Sequence, residues 1–313
     1  MFLGVDGGGT KTAYVVIDAD GGVRARHVGP SVSHLAQGFA RATDLLLDGI
    51  GTALREAAVA PADLTYAFLG LPSYGEDSAT TAQMDLMPAR LLAVARYRCG
   101  NDMLCSWAGS LACADGISVI AGTGSIAYGE YAGRTARAGG WGELIGDEGS
   151  AYWIAREGMN LFSRMSDGRV PRGLLYDLVQ ARFGLAVDLD LCAHVYGEAA
   201  SARSAFAGFA PLVHQAAQSG DSQAVEIFRR GADELVQCVR AVRRSLQVPD
   251  TVALPVSNTG GVFQSGGLMV GAFRAALGNA HPPFVYREPQ YQPDIGAALY
   301  AAYLAGRRLV PRV

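Results

Sequence analysis

Short apolar runs alternate with glycine-rich turns at the start of the chain. Met1 to Val5 and Ala13 to Ile17 consist mainly of β-branched, aromatic and other apolar residues, and both runs are too short for helices. Asp20-Gly21-Gly22 then leads into a third run, Val23 to Val28. The pattern predicts an antiparallel three-strand unit whose first hairpin has its tip between Asp6 and Thr12.

Helical spacing of apolar residues alternates with short buried strands in the next part of the chain. The predicted helices are Ala40 to Ala58, Asp77 to Val94 with a break at Pro88, and Met103 to Ala114. The predicted strands are Leu64 to Leu69, Arg96 to Asn101 and Ile117 to Ala121. A second glycine-rich hairpin follows at Gly122-Thr123-Gly124-Ser125, and another strand comes after it.

The remainder of the chain is mainly helical from about Ala151 to Leu246. Its clearest apolar stripe has steps of three and four residues, which predicts a core-facing side: Ala224, Phe228, Gly231, Leu235, Val239, Val242 and Leu246. The arginines of the same helix are expected on a solvated face: Arg229, Arg230, Arg240, Arg243 and Arg244. The last predicted elements are a strand (Thr251 to Val256), a helix (Gly267 to Leu277), a strand (Phe284 to Arg287) and a helix (Asp294 to Gly306) with Asp294 as its N-cap.

Composition restricts the class of protein. The 313 residues are enough for two domains, half of them are hydrophobic, and the formal charge of −3 predicts neither a nucleic-acid nor a membrane partner. Met1 to Val5 lacks a basic region and is interrupted by Asp6, so we expect no signal peptide and a cytoplasmic protein. The five cysteines form no CxxC pair and the five histidines are scattered, which indicates reduced thiols and no zinc site.

The first hairpin has the chemistry of a phosphate-binding turn. Three consecutive glycines, Gly7 to Gly9, allow an anion to approach the main-chain amides, and Thr10, Lys11 and Thr12 add side-chain donors. Asp6 fits such a site if Mg²⁺ lies between its carboxylate and the phosphates, often through water. The alternative is an ordinary β-turn, since Asp-Gly is also a strong hairpin signal.

Two commoner nucleotide motifs are excluded. A P-loop needs a Gly-Lys-Ser/Thr sequence leading into a helix, whereas Gly9 is followed by Thr10 and then by a strand. Gly122 to Ala127 fits the dinucleotide-binding glycine pattern, yet Ile126 to Tyr131 does not read as the start of a helix. Two similar glycine-tipped hairpins therefore predict two similar halves facing each other across a cleft, each with one phosphate-binding turn.

Carboxylates supply the remaining candidate chemistry. Asp102 follows a predicted strand and is the best candidate for the base that accepts a proton during phosphoryl transfer, although Asn101-Asp102 could instead cap the next helix. The loop from Gly139 to Ser150 contains Trp141, Glu143, Asp147 and Glu148, which could hold a polyhydroxylated acceptor. Its alternative interpretation is an acidic helix start favoured by the helix dipole.

Three segments carry a resemblance to a known family. They are Val5 to Thr12, Ala121 to Ser125, and Gly139-Gly140-Trp141-Gly142 with Gly146-Asp147-Glu148-Gly149-Ser150-Ala151-Tyr152-Trp153. The sequence resembles the N-acetylglucosamine kinases of the BadF/BadG/BcrA/BcrD group, within the actin, hexokinase and Hsp70 superfamily. The similarity covers nearly the whole chain, including Phe206-Ala207-Gly208-Phe209 and Gly260-Gly261.

The resemblance implies an α/β fold with two ribonuclease-H-like, actin-like ATPase domains facing across a nucleotide cleft. We expect an N-terminal domain at residues 1–115 and a helix-rich C-terminal domain at 116–313, with a helical insertion at about 150–248. The last helix, at about 294–310, is a candidate to pack back on the N-terminal domain. ATP and Mg²⁺ are the implied cofactors, a small sugar is the implied substrate, and we expect a homodimer.

The resemblance also assigns roles to residues. Asp102 matches the catalytic base that activates the sugar 6-hydroxyl, and Asp6 is the candidate magnesium residue. The expected sugar contacts are Ser33, His34, Ser125, Ile126, Gly140, Trp141, Gly142, Glu143 and Asp147. The expected ATP contacts are Gly8, Gly9, Thr10, Lys11, Thr12, Gly122, Thr123, Gly124, Ala207, Gly260, Gly261 and Ser265.

One position departs from the family pattern. Ser33 precedes His34 where animal members have an asparagine that binds the sugar, so a hydrogen bond worth on the order of 1 kcal/mol is lost or mediated by water. The sequence therefore predicts an ATP-dependent 6-kinase of N-acetylglucosamine or a related hexosamine, with glucosamine or glucose as alternative substrates. A different alternative is an ATPase that activates a reductase or dehydratase, although the cysteines form no recognisable cluster motif.

Overall fold

The computed structural model describes residues 1–197, 206 and 208–312. These form two compact units. Unit 1 comprises Met1–Ala114 together with Glu288–Val313, and unit 2 comprises Asp115–Arg287. Among the described helices, none combines the length and the apolar composition that crossing a membrane requires.

Unit 1 is built on a five-stranded sheet in the order β3-β2-β1-β4-β5. Its strands are β1 (Phe2–Gly7), β2 (Lys11–Ile17), β3 (Val23–Pro30), β4 (Tyr66–Leu71) and β5 (Tyr97–Asn101). Its helices are α1 (His34–Gln37), α2 (Phe39–Glu56), α3 (Ser78–Leu86), α4 (Met103–Leu111) and, from the C-terminal segment, α12 (Pro293–Leu304). The first three strands are antiparallel neighbours, whereas β4 and β5 run parallel to β1.

The alternation of side chains along β1 explains why both faces of this sheet are covered. Leu3 and Val5 are fully buried in a cluster that includes Leu46 and Ile50 of α2. The intervening residue, Gly4, faces the backbone of α12, because successive residues of a strand point to opposite faces. Helix α12 therefore lies against the sheet on the side opposite α2.

Unit 2 repeats the same topology with the order β10-β9-β6-β7-β8. Its strands are β6 (Gly116–Ala121), β7 (Ser125–Tyr131), β8 (Arg134–Gly139), β9 (Leu254–Thr259) and β10 (Phe284–Tyr286). Its helices are α5 (Ala151–Ser166), α6 (Leu174–Phe183), α7 (Leu191–Tyr196), α8 (Ala210–Gln218), α9 (Ser222–Ser245), α10 (Gly261–Gln264) and α11 (Leu268–Gly278). Strands β6, β7 and β8 are antiparallel neighbours, and β9 is parallel to both β6 and β10.

Helix α9 confirms the predicted apolar stripe, since every residue named for it is buried. The prediction that all its arginines are solvated is wrong for Arg243, whose side chain is only 3% exposed. The Arg243 guanidinium donates hydrogen bonds to the carbonyl oxygens of Pro249, Val252 and Pro283 at 2.7–2.9 Å. Two acceptors from the loop after α9 and one from the segment before β10 compensate its desolvation.

Several predicted boundaries also need correction. Asp294 is not the N-cap of the last helix, because Pro293 already occupies the first helical turn and Gln292 is the N-cap. Strand β9 extends through Ser257 to Thr259, where the sequence predicts a loop. The helix predicted to reach Ala114 ends at Leu111, and Ala112 adopts a left-handed conformation with φ +50°.

Candidate active site

The first hairpin of unit 1 has exposed residues at its tip and hydrogen-bonded residues at its base. Gly8 N–H donates to the carbonyl oxygen of Lys11 at 2.9 Å, which closes the turn. The Thr12 hydroxyl is buried and accepts from Val32 N–H at 3.2 Å, while the Ser31 hydroxyl donates to Gly8 O at 2.8 Å. The residues at the tip are exposed: Gly9, Thr10 and Lys11. Thr12 therefore supports the turn, and the exposed residues remain accessible to an anion.

The segment after β3 is attached to this turn. Ser33 N–H donates to the hydroxyl of Ser31, the same hydroxyl that donates to Gly8 O. His34 is 92% buried, its Nδ1 has no hydrogen-bond partner, and its ring stacks on Phe39 with centroids 4.6 Å apart. The structure thus brings Ser33 and His34 into the same hydrogen-bonded unit as the glycine turn.

Two carboxyl groups lie at the carboxyl ends of strands on either side of β4. Asp6 is near the end of β1, and Asp102 directly follows β5. Burial raises the pKa of Asp102 to about 8, with smaller contributions from the negative charges of Asp6 and Glu76. Burial and the charge of Asp294 raise the pKa of Asp6 to about 7, while a hydrogen bond from Cys105 and the charge of Lys11 act in the opposite direction. Both aspartates nevertheless keep a small exposed surface.

Helix capping does not account for Asp102. Asn101 performs the capping interaction, since its side-chain oxygen accepts from Met103 N–H at 3.1 Å. The Asn101 amide also donates to the carbonyl oxygen of Tyr74 at 3.0 Å. Asp102 occupies the N-cap position of α4, but its carboxyl group makes no capping hydrogen bond. Backbone hydrogen bonds from Met103 and from Asp102 itself lower the pKa of this carboxyl group, but by less than burial raises it.

The second hairpin, in unit 2, is joined to the start of α5. Gly122 N–H donates to Gly124 O at 2.9 Å and closes the turn. Ala151 N–H donates to Gly122 O at 2.8 Å, and Tyr152 N–H donates to Thr123 O at 3.4 Å. The carbonyl groups of the turn are thus bound by α5, while the side chain of Thr123 is exposed.

The loop between β8 and α5 is anchored to the same hairpin through Ser125. Its hydroxyl donates to Glu148 O at 2.7 Å, and its carbonyl oxygen accepts from Gly140 N–H at 2.9 Å. Asp147 is 2% exposed and has φ +62°, an unusual conformation for a residue with a side chain. Such conformations concentrate at functional sites. The structure therefore brings Ser125, Gly140 and Asp147 together with the second turn.

The other predicted contacts in this loop are more peripheral. Gly140 lies against Ile126, because a Cβ at position 140 would be 2.7 Å from Ile126 Cδ1. Gly142 and Glu143 are half-buried, whereas 70% of Trp141 is exposed. Trp141, which is predicted to contact the sugar, is thus a solvent-facing side chain in this structure.

The predicted nucleotide segment after β9 lies beside the second turn. Thr259 pairs with Ile120, and a Cβ at Gly260 would be 2.3 Å from Ala121 O, so Gly260 and Gly261 follow directly alongside Gly122. The Ser265 hydroxyl donates to Val262 O at 2.9 Å, and His214 Nε2 lies 2.7 Å from Ser265 O. Ala207, another predicted ATP contact, lies outside the described residues.

Four residues near these groups are absent from the sequence-based site: Ser31, Cys105, His214 and Asp294. The spacing of Asp102 and Cys105, three residues apart on a helix, is the one local signal that could have identified Cys105. Asp294 was assigned a capping role, which conceals its position beside Asp6. His214 and Ser31 act through backbone carbonyl groups of distant residues, for which the sequence has no signal.

The environment of Asp6 fits a hard divalent cation. Burial and the charge of Asp294 disfavour the ionised form of this carboxyl group, and its oxygens are the ligand type that Mg²⁺ prefers. Within residues 1–197, 206 and 208–312, no three His, Cys, Asp or Glu side chains gather closely enough to hold a metal ion by themselves. Mg²⁺ commonly binds with one or two carboxylates, completing its shell with water and phosphate oxygens. Asp6 is therefore suited to a shared site of that kind.

The fold and these turns define a class of protein. A mixed sheet with three antiparallel strands followed by two parallel ones occurs in both units, and this duplication is the actin-like ATPase fold. The predicted fold class is confirmed. The chain belongs to the BadF/BadG/BcrA/BcrD ATPase family, whose sequence profile matches residues 3–301. The resemblance found in the motifs is confirmed as well.

Individual relatives are similar over almost their whole length. The N-acetyl-D-glucosamine kinase of Dictyostelium discoideum is 26% identical over 310 residues, 96% of this chain and 97% of its own. A crystal structure from Chromobacterium violaceum, of a protein with proposed N-acetylglucosamine kinase activity, is 28% identical with a TM-score of 0.72 and covers 95% of this chain and 97% of its own. The glucokinase of Streptomyces griseus, solved with glucose and AMPPNP, is 16% identical with a TM-score of 0.57, covers 96% and 97%, and shares the fold alone.

Proposed function

We propose that this protein is an ATP-dependent sugar kinase that phosphorylates the 6-hydroxyl of N-acetylglucosamine or a related hexosamine. The observation that carries the proposal is the environment and position of the Asp102 carboxyl group. Burial raises its pKa, and it makes no N-cap hydrogen bond to α4. It lies two strands from Asp6 at the same edge of the sheet. The names of the relatives agree with this chemistry.

Asp102 acts as the general base. A sugar hydroxyl is too weak an acid to ionise in advance, so Asp102 accepts its proton while the new oxygen–phosphorus bond forms and ADP leaves. A pKa near the working pH suits a general base, because the proton affinity of the carboxylate is increased while a fraction of it remains ionised, and such catalysis typically contributes about 10²–10⁴ in rate.

Each unit contains one turn that we assign to phosphate. In unit 1 the donors of Gly8–Thr12, of which Gly9, Thr10 and Lys11 are exposed, are assigned to phosphate oxygens. In unit 2 the donors of Gly122–Gly124 are assigned to phosphate oxygens, and Gly260, Gly261 and Ser265 are assigned to the nucleotide. Ala207 stays an expected ATP contact that lies outside the described residues. Asp6 would hold Mg²⁺, in part through water, and the cation would supply positive charge that neutralises the phosphates. Lys11 is exposed at the tip of the first turn and supplies a further positive charge.

The sugar contacts come from two segments of the chain. In unit 2 they are Ser125, Ile126, Gly140, Trp141, Gly142, Glu143 and Asp147. In unit 1 they are Ser33 and His34, and the Nδ1 of His34 is buried without a hydrogen-bond partner. Because the serine is shorter than the asparagine of animal members, glucosamine and glucose remain candidate substrates.

The proposal includes the cellular location and the oligomeric state of the enzyme. All five cysteines are free, which supports a reducing, cytoplasmic location. The homodimer is carried over from the family resemblance alone, and light scattering of the purified protein tests it.

A panel of sugars tests the function. The protein is incubated with ATP, Mg²⁺ and one of N-acetylglucosamine, glucosamine or glucose, and ADP release and product mass are measured. We expect ADP release that requires sugar, and no product from 6-deoxy-N-acetylglucosamine. ATP hydrolysis that is independent of every sugar would contradict the proposal and favour the ATPase that activates a partner enzyme.

A further inference from the structure

The segment after β9, from Gly260 to Gly267, is held against other parts of unit 2 at both ends. At its first end, a Cβ at Gly260 would lie 2.3 Å from the carbonyl oxygen of Ala121, so the backbone passes directly beside the second turn. Its other end has two consecutive glycines, Gly266 and Gly267, with φ +67° and +82°. Glycine restricts the backbone little, so a single conformation at this end depends on contacts with other elements.

Helix α8 makes such a contact through His214. The Nε2 atom of His214 lies 2.7 Å from the carbonyl oxygen of Ser265. A carbonyl oxygen accepts hydrogen bonds and cannot donate them, so the imidazole carries a proton on Nε2 and donates it. The Ser265 hydroxyl donates to Val262 O at 2.9 Å. Ser265 is therefore fixed through its carbonyl group by α8 and through its hydroxyl group by α10.

The imidazole ring itself is held in place by a buried neighbour. It makes an edge contact with the ring of Phe228 on α9, with centroids 5.9 Å apart, and Phe228 is 3% exposed. A Cβ at Gly266 would lie 2.8 Å from His214 Nε2 and 2.3 Å from Gln218 Nε2, one turn later on α8. The absence of a side chain at Gly266 therefore allows the loop to approach until Ser265 O reaches the imidazole.

The first residues of α8 are connected to the second turn. Tyr152 N–H donates to Thr123 O at 3.4 Å, and the Tyr152 ring stacks on Phe206 with centroids 4.4 Å apart. Phe209, the N-cap residue of α8, donates its N–H to Phe206 O at 3.1 Å. Helix α8 thus contacts both segments that are assigned to ATP in unit 2, one near its start and the other through His214.

Ring packing alone does not explain a histidine at this position. A phenylalanine could make the same edge contact with Phe228, but it would remove the donor from Ser265 O. His194 on α7 offers a comparison within unit 2, because its ring also packs on an aromatic side chain, Phe183, with centroids 5.2 Å apart. The short hydrogen bond to the glycine loop distinguishes His214.

We propose that His214 is a positioning residue for the nucleotide. Its Nε2–H holds the Ser265 carbonyl group and thereby keeps the Gly260–Gly267 segment in one conformation beside the second turn. Loss of this donor weakens nucleotide binding and leaves the chemistry at Asp102 unchanged. The role rests on the proposed function for the assignment of this segment to ATP.

Nucleotide binding without any sugar tests the role. A fluorescent, non-hydrolysable ATP analogue is titrated with Mg²⁺ present, and its dissociation constant is measured. We expect His214→Phe to raise this constant about 3- to 10-fold, because one hydrogen bond that orders the segment is removed. His214→Gln retains an amide N–H donor and should stay within about 2-fold of the unmodified protein.

Steady-state kinetics separate positioning from a general loss of structure. In His214→Phe the KM for ATP should rise with the dissociation constant, while kcat and the KM for sugar stay within about 2-fold. His194→Phe is the matched control, since it makes the same replacement at an exposed histidine of unit 2. Unchanged nucleotide binding in His214→Phe would overturn the proposal, as would an equal defect in His214→Gln.

Should His214→Phe fail to fold, NMR of the imidazole nitrogens in the unmodified protein decides. At alkaline pH the neutral ring of His214 should carry its proton on Nε2, and this resonance should shift when the ATP analogue binds. A proton on Nδ1, or a resonance that the analogue does not shift, would overturn the proposal.

Failure of the proposed function is distinguishable from failure of this inference. A protein that phosphorylates no sugar, but whose binding of the ATP analogue weakens in His214→Phe alone, would overturn the kinase activity and support the positioning role. Normal sugar phosphorylation with unaltered binding of the analogue in His214→Phe would do the reverse.

Discussion

At the scale of single residues, two buried carboxyl groups in unit 1 resist ionisation. Burial raises the pKa of both, the charge of Asp6 adds to the rise at Asp102, and the charge of Asp294 adds to the rise at Asp6. A nearby cation or a proton relieves this repulsion. The arrangement that suits Mg²⁺ binding and proton transfer therefore costs stability when neither Mg²⁺ nor a proton is bound.

Replacement of Asp102 by asparagine separates chemistry from binding. Asp102→Asn removes the proton acceptor but keeps the size of the side chain, and the capping bond from Asn101 is unaffected. We expect kcat to fall by at least about 10²–10⁴ while affinity for ATP is retained. Steady-state kinetics and calorimetric ATP titration check this, with Asp20→Asn on the exposed turn before β3 as control. Near-normal turnover would remove Asp102 from the role of base.

The stability of the ligand-free protein should decrease with rising pH. Both carboxyl groups have folded-state pKa values of about 7 and about 8, above the ordinary 3.8. At pH values between the ordinary pKa and the raised ones, the folded protein binds more protons than the unfolded chain. The free energy of unfolding therefore falls as pH rises. Each group contributes at most about 1.4 kcal/mol per pH unit. Melting temperatures measured from about pH 5 to about pH 8 in a chelator should decline, and the decline should be shallower in Asp102→Asn. An identical profile in both proteins would refute the assignment.

At the scale of elements, the second hairpin, the β8–α5 loop and α5 form one connected assembly. Ser125 bonds the loop at Gly140 and at Glu148, and Ala151 bonds the turn at Gly122. A displacement of the loop is thereby transmitted to the turn. Within unit 2, a ligand on the proposed sugar segment would thus alter the geometry of the proposed phosphate turn.

A methyl group at position 140 should test this connection. Gly140 has φ +68°, and an added Cβ would lie 2.7 Å from Ile126 Cδ1. Gly133, in the β7–β8 turn, has φ +77° with no atom near its Cβ position, and so it is the matched control. Both alanine variants should lose about 1–2 kcal/mol of stability, the cost of a left-handed residue with a side chain. We expect only Gly140→Ala to raise the KM for sugar severalfold, and an equal KM in both variants would contradict the proposed sugar segment.

The elements themselves are largely predictable from the sequence, and their contacts are not. β-branched runs around glycine turns specify β1, β2, β6 and β7, because both the apolar period and the turn residues are local. The partners of Arg243 are the carbonyl oxygens of Pro249 and Val252, in the loop after α9, and of Pro283, and apolar periodicity does not reveal that these carbonyls converge on one guanidinium. The position of Asp102 directly after β5 is predictable from the sequence, and its role as the base stays a prediction. Cys105 is missed because sequence does not reveal which group a buried thiol faces.

At the scale of the whole molecule, unit 1 is assembled from both ends of the sequence. Helix α12 comes from the C-terminal segment, and its Gly296 leaves room for the backbone of α4. A Cβ at this position would lie 2.1 Å from Cys105 O and 2.3 Å from Gly109 N. The ion pair between Arg26 and Asp294, at 2.6 Å, joins the start of α12 to β3. The surroundings of Asp6 therefore depend on this segment.

An alanine at position 296 should loosen unit 1. Gly296→Ala forces α12 away from α4, and overpacking of this kind typically costs about 1–3 kcal/mol. Gly271→Ala, in the middle of α11 with open space around its Cβ position, should instead gain about 0.5–1 kcal/mol. Hydrogen exchange followed by mass spectrometry should show the largest loss of protection in unit 1 of Gly296→Ala. Equal protection in both variants would mean that the close contact has no energetic role.

Because unit 1 consists of two separate sequence segments, its parts are synthesised at different times. A ribosome makes β1 and α4 first, then every residue from Asp115 to Arg287, and only afterwards the helix that covers β1. Until that helix is synthesised, one apolar face of the unit 1 sheet stays uncovered while unit 2 emerges from the ribosome. An interrupted translation product that ends before Glu288 would lack Asp294 and the partner of Gly4, and we expect chaperones and proteases to recognise it.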